Sequence, residues 1–81
     1  MSNFELQGEL AQIRQKNMAL DIRADATVRA IKQLFNRGAI TCPIEDLDVE
    51  GAASLVAELI QIKGEKIRNL GTIKRIEKEL L

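Results

Sequence analysis

The sequence predicts an all-α protein: an antiparallel hairpin of two long helices. Apolar residues recur at helical spacing through both halves of the chain, and the single proline, Pro43, lies near its middle. Proline cannot donate a backbone hydrogen bond, so it breaks a helix interior. Aromatic residues make up only 2% of the chain, which is typical of helix–helix cores. We therefore expect one domain, residues 1–81, with helices at about 3–37 and 49–80.

The first predicted helix follows one continuous apolar stripe. Its mean spacing of about 3.6 residues is the period of a straight α-helix. Ser2 or Asn3 can cap its start. The stripe consists of Leu6, Leu10, Ile13, Asn17, Leu20, Ala24, Val28, Ile31 and Phe35.

Asn17 is the one polar residue of this stripe. A buried amide in a helix seam specifies register or oligomeric state at some cost in stability. The alternative is that the stripe is exposed at this point and that Asn17 contacts water.

The connection between the helices is marked by three residues. Gly38 tolerates the left-handed conformation that ends many helices, and Pro43 interrupts the helical pattern. Asp48 is a good N-cap for the second helix, and Glu50 follows in the positive first turn. The chain therefore reverses direction between Gly38 and Leu47.

The second predicted helix carries two neighbouring apolar strips. A broad apolar arc can serve two neighbours, here the first helix and a partner. The strip matched to the first helix contains Ala52, Val56, Leu59, Lys63, Ile67, Leu70, Lys74, Glu77 and Leu81. The strip beside it contains Leu55, Ile62, Ile73, Ile76 and Leu80, and Val49 and Ile60 widen the other edge of the arc.

Two glycines, Gly64 and Gly71, weaken the second helix by about 1 kcal/mol each relative to alanine. Because the apolar phase continues past both, we expect one unbroken helix. A kink near Gly71 is the alternative.

The turn fixes which residues face each other. With Phe35 opposite Ala52, the numbers of facing residues add up to about 87. This register places Asp21 opposite Lys66, Asp25 near Lys63, and Asn17 against Leu70 with Asn69 as a possible amide partner. Lys63 therefore joins Asn17 as a candidate residue that specifies register or oligomeric state.

Composition argues against most enzyme chemistry. The chain has one cysteine, Cys42, and no histidine, which removes Cys/His catalysis and most zinc sites. The acidic segment 46–51 resembles the start of a calcium loop, but Ala57 stands where the bidentate glutamate is required. We expect no cofactor and no metal. A lone thiol and the absence of a signal-like or membrane-spanning segment favour the cytoplasm.

A basic ridge runs along one face of the second helix. It consists of Gly64, Arg68, Gly71, Arg75 and Lys78. Such a ridge suits nucleic acid or an acidic protein surface. However, twelve basic residues balance twelve acidic ones and no aromatics interleave with the ridge. An ordinary solvated helix face is therefore the favoured interpretation.

Two functional hypotheses follow. A two-helix hairpin has no second layer, so much of its apolar surface stays exposed unless the chain self-associates. The first hypothesis is a small interaction or assembly module that dimerises into a four-helix bundle and binds a further protein, with no membrane contact. The alternative is a small nucleic-acid-binding regulator that uses the basic ridge.

Overall fold

The computed structural model describes residues 2–36 and 43–81 and confirms the helical hairpin. Helix α1 spans Asn3–Asn36, a short 3₁₀ turn spans Ile44–Asp46, and helix α2 spans Val49–Leu80. The two described ranges contain no β-strand. The molecule measures 61 × 15 × 14 Å. The predictions for Gly38 and Cys42 lie outside the described residues.

Both helices begin at the caps that the sequence predicts. The Ser2 hydroxyl accepts a hydrogen bond from the Glu5 backbone N–H at 3.2 Å. The Asp48 carboxylate accepts one from the Gly51 N–H at 2.9 Å. A Cβ at Gly51 would overlap that carboxylate, so the glycine leaves room for the cap. Each cap satisfies a backbone donor that has no partner within its helix.

The core is a single seam between α1 and α2, and both helices contribute residues at alternating steps of three and four. This seven-residue repeat is the pattern of a left-handed coiled coil. The seam residues, all buried or half-buried, are Leu6, Leu10, Ile13, Asn17, Leu20, Ala24, Thr27, Ile31 and Leu34 of α1, and Ala52, Leu55, Leu59, Ile62, Lys66, Asn69, Ile73, Ile76 and Leu80 of α2.

In the last two turns of α1, the observed seam differs from the predicted stripe. Thr27 and Leu34 occupy the seam, whereas Val28 and Phe35 are exposed. A stripe with a 3.6-residue period drifts by about 20° per heptad relative to the 3.5-residue repeat of a coiled coil. The predicted stripe is therefore shifted by one residue in these turns. Thr27 tolerates burial because its hydroxyl donates to the Arg23 carbonyl oxygen at 2.8 Å.

The two strips of α2 have the opposite roles from those predicted. The strip that includes Ile62, Ile73 and Ile76 packs against α1, and Ile76 is only 1% exposed. The strip that had been matched to α1 remains largely open, with Ile67 at 56% exposure. The physical reason is again the period, because α2 must follow the same seven-residue repeat as its partner helix.

The register agrees with the prediction to within one residue. The Asn69 amide donates to Asn17 Oδ1 at 2.9 Å, and Lys66 Nζ lies 2.5 Å from Asp21 Oδ1. Facing residues in the seam therefore have numbers that add up to about 86. Ala52 consequently faces Leu34, not Phe35 as predicted.

Helix α2 is unbroken across both glycines. Gly71 lies inside the helix with nothing within 4 Å of the position of a Cβ. The expectation of one continuous helix is confirmed, because α2 does not end or restart at Gly71.

Candidate interaction surface

The seam divides the surface of the hairpin into two sides. Among the described residues, the Arg14–Glu77 and Lys66–Asp21 ion pairs cross one side and the Arg23–Glu58 pair crosses the other. On one side Arg14 Nη2 lies 3.0 Å from Glu77 Oε2. On the other, Arg23 Nη2 lies 3.6 Å from Glu58 Oε1. In an antiparallel coiled coil, positions seven residues apart on one helix stay on the same side of the seam. These ion pairs therefore show which sides of α1 and α2 lie together.

The side crossed by Arg14 and Glu77 is apolar over most of its length. Of the twelve exposed large hydrophobic side chains of the described residues, ten lie on this side; the other two are Ile22 and Ile44. We call these ten residues the apolar face. They are Phe4, Met18, Val28, Phe35, Val49, Val56, Ile60, Ile67, Leu70 and Leu81.

The side crossed by Arg23 and Glu58 is polar. Its positions next to the seam carry mostly charged or small side chains: Glu9, Lys16, Arg23 and Ala30 of α1, and Glu58, Glu65, Thr72 and Glu79 of α2. The hairpin as a whole is therefore amphipathic across its width, in addition to the amphipathic character of each helix.

The apolar face also carries a few charges near its middle. Lys63 is exposed there and flanked along α2 by Ile60 and Ile67. Asp21 and Asp25 lie at the corresponding height on α1. Asp25 forms an ion pair with Arg29 at 2.8 Å within its own helix. Lys63 thus lies outside the intramolecular seam that the sequence had assigned to it.

Asn17 lies in the seam, where the sequence placed it. It is 6% exposed, and its Oδ1 accepts from the Asn69 amide. Its own Nδ2 is buried without a hydrogen-bond partner among the described residues. A buried, unsatisfied amide donor costs about 1–3 kcal/mol. The structure thus places a polar layer inside the apolar seam, and its role in specifying register or oligomeric state stays a prediction.

The basic ridge lies on the outer surface of α2, away from the seam. Arg68, Arg75 and Lys78 are exposed, and none has a carboxylate partner within 4.0 Å among the described residues. The Arg68 guanidinium lies over Gly64, 3.4 Å from the position of a Cβ there, whereas Gly71 is open. The ridge therefore offers unpaired cations on a helix backbone that is only partly covered.

Within residues 2–36 and 43–81, no three His, Cys, Asp or Glu side chains come close enough together to hold a metal ion. An open groove of about 500 Å³ near the turn is lined by Ala30, Gln33, Leu34, Asn36 and Leu55. None of these side chains titrates. No described helix combines the length and apolar character needed to cross a membrane.

No protein-family model, curated protein or solved structure matches this chain. The function therefore has to follow from the surface of the chain, where ten of the twelve exposed large hydrophobic side chains of the described residues form the apolar face.

Sequence reasoning found the members of this face on α2 but assigned them to the wrong neighbour. The signal that separates seam from open face is the seven-residue repeat shared by both helices. Applied to the two helices together, it selects Leu34 over Phe35 and Leu55 over Val56. Applied to one helix at a time, the 3.6-residue period fits the residues of the apolar face almost as well as it fits the residues of the seam.

Proposed function

We propose that this chain is a small, non-enzymatic interaction and assembly module that acts as a homo-oligomer in the cytoplasm, with a dimeric four-helix bundle as the favoured state. The apolar face is the observation that supports it. Contiguous exposed apolar surface of this extent is typical of interaction sites. In the dimer, the face of one hairpin packs on that of a second copy.

The exposed area supports self-association quantitatively. The accessible surface is 6361 Å² for a chain of 9.0 kDa. A compact monomer of this mass exposes about 4,900 Å², so the hairpin exposes about 1,500 Å² more. The apolar face is about 50 Å long and 15 Å wide, or roughly 750 Å². A standard interface buries about 800 Å² per partner, so the face is large enough for a stable dimer.

The test is the solution mass of the protein at micromolar concentration, measured by sedimentation equilibrium. The native chain should have a mass of about 18 kDa, two copies of 9.0 kDa. The double variant Ile60→Glu/Ile67→Glu should dissociate, because it places two charges in the interface. The matched control Ala57→Glu/Gln61→Glu changes exposed residues of the same helix turns away from the apolar face and should stay dimeric.

A folded, cooperative 9.0 kDa monomer of the native chain would overturn the proposal. So would dissociation of the control variant alone, because it would show that the interface lies on another face.

A second candidate function, nucleic-acid binding, has one observation in its favour. The arginines of α1 in the described residues, Arg14, Arg23 and Arg29, each have a carboxylate partner. The arginines of α2, Arg68 and Arg75, have none in the described part of the chain. Unpaired cations on an outer face are free to contact phosphate.

Binding to heparin and to duplex DNA at low and high salt tests this candidate. If the basic ridge binds anions, Arg68→Glu/Arg75→Glu should abolish retention while helicity and mass stay unchanged. The control Lys16→Glu/Arg23→Glu carries the same charge change on α1 and should retain most binding. Absence of salt-dependent retention of the native chain would exclude this second function.

A further inference from the structure

We propose that the second copy lies on the apolar face with both turns at the same end of the bundle, so that α1 of each copy faces α2 of the other. This inference rests on the proposed self-association and specifies its geometry. The two-fold axis then runs parallel to the helices. The alternative two-fold arrangement places the turns at opposite ends and pairs α1 with α1.

The height of each residue along the hairpin follows from the seam register. Facing residues in the seam have numbers that add up to about 86, so an α2 residue lies level with the α1 residue that completes this sum. A second copy whose turn lies at the same end presents its α2 residues at these same heights to α1. The contacts across the interface can therefore be compared between the two arrangements.

With the turns together, apolar residues meet apolar residues near the turn, below the middle of the face and at the termini. Near the turn Phe35 faces Val49 of the second copy, and Val28 faces Val56 of the second copy. Lower down, Met18 faces Ile67, and at the termini Phe4 faces Leu81. All of these side chains are exposed in the single hairpin, so the contacts are available.

The charges in the middle of the face also match in this arrangement, whereas Lys74 lies near the height of Arg14 of the other copy. Lys63 of one copy lies level with Asp21 and Asp25 of the other. Lys63 has no carboxylate within 4.0 Å among the described residues of its own hairpin, so its charge is open to a new partner. Opposite charges at the same height favour one alignment over others, although exposed pairs contribute little to affinity.

With the turns at opposite ends, apolar residues still meet where Ile60 faces Leu70 and Val49 faces Leu81, but other parts of the face are mismatched. Full overlap brings Asp21 close to Asp21 of the second copy, although each of these carboxylates also pairs with Lys66 of its own hairpin. It also places Val28 against Arg14, and Val56 against Lys74. Apolar surface is then covered by charged side chains, and like charges meet at the centre. Charge and apolar complementarity together favour the arrangement with the turns together.

Distances between spin labels distinguish the two arrangements. Labels are attached to Glu45→Cys near the turn or to Glu79→Cys near the C-terminus, in a Cys42→Ser background. Both positions are exposed. Each homodimer should show a short label–label distance, on the order of 30 Å or less, because the bundle is only two helix layers thick. Mixed dimers with one label of each kind should show about 50 Å, the length of a helix.

The opposite result, long distances in both homodimers and a short one in the mixed dimer, would overturn the arrangement while leaving self-association standing. Arg68→Cys lies near mid-height and should give similar distances in both cases, which checks the labelling. Absence of any dimer in the native chain would remove both this inference and the proposed function.

The variant Val28→Glu gives a second test, because the two arrangements predict opposite changes in the dimer dissociation constant. With the turns together, Val28→Glu meets Val56 and should raise the dimer dissociation constant at least tenfold. With the turns at opposite ends, the new carboxylate meets Arg14 and strengthens the dimer. Ala26→Glu adds the same charge to an exposed position on the polar side and should leave the dissociation constant unchanged. Tighter association of Val28→Glu would overturn the arrangement.

Discussion

At the scale of single residues, the polar layer of Asn17 and Asn69 is the exception within an otherwise apolar seam. One hydrogen bond joins the two amides at 2.9 Å, and the buried Nδ2 of Asn17 has no partner in the described residues. We expect this layer to oppose slippage of one helix along the other. A shift of one heptad would move Asn17 against Ile62 or Ile76, where its amide would lose its only hydrogen bond. The prediction is therefore that Asn17 specifies the register at a cost in stability.

Asn17→Leu should therefore raise the melting temperature while loosening register or oligomeric state. Removing an unsatisfied buried amide is worth about 1 kcal/mol or more, and about 1 kcal/mol corresponds to 4–8 °C in a domain of this size. Circular dichroism melts and sedimentation velocity measure the two effects. In Asn17→Leu/Asn69→Leu both amides are replaced, so no partner is left unpaired, and this control should be at least as stable. A lower melting temperature with an unchanged oligomer would contradict the assigned role.

At the scale of the helices, the sequence determines where each element begins and ends more firmly than which face is buried. Caps are local: Ser2 and Asp48 each need only a backbone N–H three residues further on, so they could be predicted. The buried face depends on the partner helix. On α2, both a 3.6-residue period and a 3.5-residue period give a stripe of apolar residues. Only the pairing with α1 shows which of the two stripes is buried.

The register between α1 and α2 was predictable because charged and amide side chains on the two helices find partners in only a few alignments. Lys66 meets Asp21, and Asn69 meets Asn17, as the sequence indicated. The candidate site was predictable only in part. The α2 residues of the apolar face were recognised as an apolar strip, but their exposure follows from three-dimensional packing that a single helix does not encode.

Gly71 provides a test at this scale. It lies inside α2 with open space where a Cβ would be, so Gly71→Ala should stabilise the protein by about 1 kcal/mol. Urea unfolding measures the change. Gly8→Ala is the matched control on α1, since Gly8 is also helical and open, and it should give a similar gain. A loss of stability confined to Gly71→Ala would indicate that a partner approaches the backbone closely at that position.

At the scale of the whole molecule, one seam joins α1 and α2, and within residues 2–36 and 43–81 no further element packs on the apolar face. The cluster that includes Leu6, Leu10, Ile73 and Ile76 concentrates the buried core near the termini. Near the turn, the apolar side chains of Val28, Phe35, Val49 and Val56 remain open. A second copy would cover this half, so much of the stability of the fold should come from association.

Stability that depends on association makes the melting temperature depend on protein concentration. Two 81-residue chains that unfold together should have an unfolding enthalpy of roughly 110 kcal/mol near 60 °C. For a dimer that dissociates as it unfolds, this enthalpy gives a rise of about 4–5 °C for each tenfold increase in concentration. Melts at 1, 10 and 100 µM, followed by circular dichroism, should show this shift in the native chain. Ile60→Glu/Ile67→Glu should melt lower and independently of concentration, because its interface is disrupted. A cooperative melt of the native chain at one temperature across this range would show that the single seam suffices and that the apolar face does not bind a second copy.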